Sequence, residues 1–118
     1  MSNLYDHAYE LEKALRNSEE FQTLKKLHQE VEQDEVAKKL FASFRQLQID
    51  LQQKQMMGQQ LSEEEVEKAQ QQLQLVQQHE TIGNLLNAEQ RLSQAISDIN
   101  KIITNPLEEI YGSPEEQQ

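Results

Sequence analysis

The sequence predicts an all-α protein: a helical bundle of three shorter helices and one very long helix, with a short C-terminal helical turn, completed by oligomerisation. Three observations predict it. The run from Glu63 to Thr104 contains no proline and a single glycine, and its apolar residues fall at helical spacing. Across 118 residues there are only three glycines and two prolines, with 36% hydrophobic residues and no tryptophan, a helical composition. No segment alternates apolar and polar residues with strand character. A single all-helical domain is expected over 1–118, with helices at about 4–16, 19–32, 35–57, 63–104 and 106–111.

In the first helix Leu4, Ala8, Leu11 and Leu15 step by four, three and four, and the helix ends near Asn17. Ser18 caps the second, with Glu19 and Glu20 in its first turn and Phe21, Leu24, Leu27 and Val31 as its apolar stripe. Asp34 caps the third, where Val36, Leu40, Phe44, Leu47 and Leu51 form a stripe with Phe41 and Ile49 beside it. Met56, Met57 and Gly58 then lead into a turn.

The long helix has a well-marked start. Ser62 followed by Glu65 is a capping box, Leu61 and Val66 form the matching hydrophobic staple, and three carboxylates sit at the positive end of the helix dipole. At its far end Asn105 and Pro106 are expected to stop it and to start the short helix, which Gly112 closes and Pro114 breaks. A helix of about 40 residues is about 60 Å long, roughly twice what a small domain can cover, so a partner surface is required.

Its stripe falls into two registers. Val66, Ala69, Leu73 and Val76 keep one, and Ile82, Leu85, Leu92, Ile96, Ile99 and Ile103 keep another that places Glu89 in the seam. The polar step Gln77-Gln78-His79-Glu80-Thr81, just before Gly83, separates them, so the helix bends there or changes partners. The preferred reading is a change of partners. The first half covers the shorter helices, and Ile82, Leu85, Glu89, Leu92, Ile96, Ile99 and Ile103 form an interface with a second copy, as a dimer or higher oligomer.

Composition excludes several functions. Without cysteine the chain can form no disulfide, thiolate metal site or cysteine nucleophile, and a cytoplasmic setting fits. No apolar stretch approaches a membrane span, the first residues are wrong for a signal peptide, and a soluble protein with no membrane partner is expected. The net charge of -10 disfavours nucleic acid as a partner. Weak RNA contact through Lys25, Lys26, Lys38 and Lys39 is the form such binding would take; solvated helix faces are the simpler account of these lysines. The glutamine clusters around residues 52–60 and 70–78 admit a prion-like reading, but leucines and charges interrupt them at helical spacing, which favours an uncharged solvent face.

No catalytic or metal constellation stands out. His7, His28 and His79 are too widely spaced to pair on one helix, no glutamate precedes a histidine by three as a di-iron bundle requires, and there is no phosphate loop. No cofactor and no metal are expected, and the chain reads as not an enzyme. The one polar set to note is His79, Glu80, Glu89 and Arg91, around the register break. It is either a buried polar site between helices, with Tyr5 or Tyr9 as further members, or a hydrogen-bonded device that fixes register, or simply a set of surface residues.

The strings Val76-Gln77-Gln78-His79-Glu80, Ala88-Glu89-Gln90-Arg91 and Asn105-Pro106-Leu107-Glu108-Glu109-Ile110-Tyr111-Gly112 resemble the YheA family of Bacillus-type bacteria, as do Ser18-Glu19-Glu20-Phe21 and Leu51-Gln52-Gln53-Lys54-Gln55-Met56. The resemblance covers nearly the whole chain. It implies a place in the wider YlbF/YmcA group of cytosolic, self-associating helical bundles, and no established activity for the YheA branch. The YlbF and YmcA relatives are regulatory adaptors in a complex affecting RNA processing, competence, sporulation and biofilm formation, where cysteines serve an iron–sulfur cluster. With no cysteine here, the cluster is not carried over. The resemblance thus implies a protein-interaction or regulatory adaptor; the alternative is a small-ligand binder or enzyme with a polar inter-helix site near Glu89 and Arg91.

Overall fold

The computed structural model describes residues 3–112, which form five α-helices and no strand. These are α1 (Asn3–Arg16), α2 (Glu19–Gln33), α3 (Glu35–Met56), α4 (Glu63–Gln78) and α5 (Glu80–Tyr111). Local chemistry sets the boundaries. The Ser18 hydroxyl accepts from the Phe21 amide, the Asp34 carboxylate from the amides of Val36 and Ala37, and the Ser62–Glu65 capping box is reciprocal, at 3.1 and 3.0 Å. Pro114 lies outside the described residues; the glycine before it, Gly112, ends α5 with φ of 78°.

Two boundaries differ from the expectation. The helix expected to run over 63–104 is cut at His79, which is extended at φ -78° and ψ 118°. Val76 and Ile82 are both buried in one core, and their six-residue spacing cannot lie on one face of a straight helix, so the backbone must break between them. Conversely, the expected stop at Asn105-Pro106 does not occur, and α5 passes through Pro106 to Tyr111. Proline's fixed φ is itself helical. The penalty is one missing hydrogen bond and crowding of the preceding turn, which bends a helix as readily as it ends it.

The core gathers Val31 of α2, Ala37 and Phe44 of α3, Val76 of α4, and Ile82 and Leu85 of α5, with Leu24, Leu27, Leu40, Phe41 and Leu86 packed around them. On α3 the buried stripe starts one residue later than expected. Ala37, Leu40, Phe41 and Phe44 follow the i, i+3, i+4, i+7 pattern, and Val36 is left exposed. The most extensive packing joins α2 to α5, while α3 packs on α2 and α4. The start of α2 (Glu19, Glu20, Thr23) lies by Ala88 and Arg91 and its later part (Lys26, Glu30) by Asn84 and Asn87, so the two helices run antiparallel.

Little of the remaining surface is covered. The radius of gyration is 18.7 Å, against about 13–14 Å for a compact chain of this length. The accessible surface is 9753 Å², against about 6600 Å² for a compact monomer of this mass.

Candidate functional site

The junction of α4 and α5 is built around His79. Its Nδ1 accepts from the Ile82 amide at 3.4 Å, and its carbonyl accepts from the Gly83 amide at 2.8 Å. The histidine thus serves as the N-cap of α5, a place usually taken by Ser, Thr, Asp or Asn. Gly83 has a steric reason for being there: a Cβ at this position would lie 3.1 Å from the Gln77 carbonyl oxygen. Glu80 is exposed in the first turn of α5.

Glu89 faces α3, where both of its carboxylate oxygens accept from Nη2 of Arg45. The same guanidinium donates through Nη1 to Gln48 at 3.1 Å and lies 4.8 Å above the Phe41 ring. Arg91 points elsewhere, because residues two apart on a helix diverge by about 200°. With Ala88 of its own helix it lines a hollow of about 150 Å³ facing Glu19, Glu20 and Thr23 of α2. Tyr5 and Tyr9 are exposed on α1, and among the described residues α1 packs only on α2. The polar set around the register break is therefore not one site. Its members divide between a helix cap, an inter-helix ion pair and an open furrow. Among the described residues no group of three His, Asp or Glu could hold a metal ion.

A second inter-helix pair joins Lys54 at the end of α3 to Glu65 at the start of α4. The Lys54 ammonium, then the Ser62 amide, hold the Glu65 carboxyl down at about 2 from an ordinary 4.5. This pair ties the two ends of the turn around Gly58.

The apolar face of α5 divides at about Leu92. Ile82 and Leu85 are 0% and 1% exposed, covered by the chain's own helices, and have no surface left to offer another copy. Leu92 and Ile99 are half-buried, Ile96 is exposed and Ile103 is 61% exposed. Beyond them Ile102, Leu107 and Ile110 are exposed as well. These three were not among the expected interface residues. For Leu107 and Ile110 the pattern is in the sequence, since Ile99, Ile103, Leu107 and Ile110 keep steps of four, four and three through Pro106; Ile102 lies off that stripe. On α1, Tyr5, Tyr9 and Leu11 are exposed, and the helix has no buried residue. No described helix is long and apolar enough to cross a membrane.

Comparison with known proteins places these features in context. The sequence model of the family described as "Control of competence regulator ComK, YlbF/YmcA" matches residues 4–108. A UPF0342 protein of Alkalihalophilus pseudofirmus is 65% identical over 118 residues, covering 100% of both chains. The UPF0342 protein YheA of Bacillus subtilis is 58% identical over 113 residues, 96% of this chain and 97% of its own. Among solved structures, a Bacillus stearothermophilus protein titled as of unknown function (DUF964) matches with a TM-score of 0.86 at 39% identity, over 96% of this chain and 99% of that one. The structure titled yheA from Bacillus subtilis matches at 0.73 with 47% identity, over 93% of this chain and 100% of that one.

Proposed function

This chain belongs to the YlbF/YmcA family, and on that premise we propose that it is a non-enzymatic, self-associating cytoplasmic protein that acts as an interaction or regulatory adaptor. One observation carries the reading. The apolar side chains left outside the core lie mainly on α1 and on α5 beyond Leu92, while Glu89 is engaged in an ion pair and His79 in a helix cap. A surface of this kind fits the recognition of other helices.

The ligand-binding alternative is weaker, because Glu89 is neutralised by Arg45 and Arg91 is turned toward α2. The lysines that would touch RNA are partly committed too: Lys38 pairs with Glu32 at 3.6 Å. Sedimentation at micromolar concentration tests self-association, with a dimer or larger species expected; a stable monomer overturns it. Tagged protein captured from its host tests the adaptor role. A defined protein partner retained by the natural chain and lost from an Ile110→Glu variant supports it, and recovery of the chain with only itself overturns it.

A further inference from the structure

We propose that α1 of one copy packs along the α5 overhang of a second copy, and reciprocally, so that the chain associates by exchanging helical arms. The proposal deepens the self-association reading and rests on it. Because α2 and α5 are antiparallel and the start of α2 lies by Ala88 and Arg91, α5 outruns α2 from about Leu92 onward. From Asn100 to Tyr111 every residue is exposed. The chain turns sharply at Asn17 and Ser18, where the Ser18 hydroxyl donates to the Leu15 carbonyl at 2.6 Å, so α1 leaves from this same end of the bundle. Among the described residues, however, α1 and α5 do not pack on one another.

Both arms are apolar along one side. The overhang carries Ile96, Ile99, Ile103, Leu107 and Ile110, and α1 carries Tyr5, Ala8, Leu11 and Leu15. As an isolated helix of 14 residues α1 would be marginal in water, and it has no buried residue to hold it. The lengths of the two arms agree: the 14 residues of α1 span about 21 Å, and residues 96–110 span about the same.

A second copy related by a two-fold axis brings an α1 to each overhang and an overhang to each α1, which closes the assembly as a dimer. The surface of 9753 Å² exceeds that of a compact monomer by about 3000 Å², so the chain as a whole has room for the roughly 800 Å² per partner that a specific interface needs.

The absence of cysteine makes the test direct. Leu11→Cys and Ile103→Cys variants of the full chain, carrying different tags, are co-expressed and treated with a short bis-maleimide. A linked dimer containing both tags is expected, with none from either variant alone. Linking within the Ile103→Cys variant alone means that overhangs pair with each other; this overturns the exchange and leaves self-association standing. No link in any sample from a protein that sediments as a dimer overturns the exchange in the same way, and a monomer at every concentration overturns both. Amide exchange on an Ile103→Glu variant supplies an independent readout. Protection should fall across residues 5–15 of α1 although the substitution lies on α5, and unchanged α1 protection overturns the proposal.

Discussion

The Arg45 guanidinium on α3 grips the Glu89 carboxylate on α5 across 44 residues of sequence, and the same group lies over the Phe41 ring. Helices that share only a limited direct contact are thereby joined through a charge pair seated on an aromatic face. The pair is 39% and 33% exposed, so water and salt weaken it. Arg45→Met keeps most of the packing on Phe41 and removes the charge. It should lower stability by about 1 kcal/mol or less, with the Arg45–Glu89 coupling in a double-mutant cycle shrinking as salt is raised. Urea unfolding at two ionic strengths checks this.

Acid sensitivity should appear at the turn between α3 and α4. The Glu65 pKa is depressed on folding from 4.5 to about 2, so its stabilising contribution is complete above the higher value and is lost as pH falls toward the lower. The natural protein should therefore lose more stability between pH 4.5 and 2 than a Lys54→Met variant. Denaturation midpoints of the two proteins across that range, converging at the acid end, provide the measurement. Equal slopes would remove Lys54 as the cause.

Two isoleucines of one helix should behave oppositely. Ile82 is fully buried and Ile103 largely exposed. Ile82→Ala should cost about 2–5 kcal/mol through lost burial and the cavity it leaves. Ile103→Ala should leave the unfolding of the isolated chain within about 0.5 kcal/mol. Thermal melts at concentrations below assembly compare them.

Gly83→Ala should lower the melting temperature, although alanine ordinarily favours an exposed helix by about 1 kcal/mol. The added Cβ would meet the Gln77 carbonyl oxygen at 3.1 Å, at the break where the backbone cannot shift without disturbing the His79 cap. A raised melting temperature would show that the junction is more yielding than this geometry implies.

Much of this fold was legible because the relevant signals are local. Ser18, Asp34 and Ser62 are preferred cap residues, and each starts a helix where its chemistry says it should. The two misplaced boundaries have different causes, one in packing and one in the local chemistry of proline. A histidine cap is unusual, so His79 carries no start signal of its own, and only the burial of Val76 and Ile82 in one core forces the break. Pro106 is a stop in isolation, but here the helix continues beyond it. On α3 the small Ala37, rather than the larger Val36, is the buried residue, because hydrophobicity alone does not fix which side of a helix faces its neighbours. Glu89 was expected in a seam with a second copy or in a polar site with Arg91; within the chain it pairs with Arg45, which lies far away in sequence and which no spacing rule links to it.

The packing of α2 against α5 has a consequence for how the chain comes off the ribosome. Its principal contact joins an early helix, α2, to the last of the five described helices, α5. Until α5 emerges, Val31 and Phe44 lack the Ile82 and Leu85 side chains that complete their core. The nascent chain therefore holds α2, α3 and α4 with part of their apolar faces uncovered until α5 is made. A stop codon before residue 80 should yield a chain that aggregates or is degraded rather than a smaller folded unit, since removing the final helix removes the means of closing the first ones.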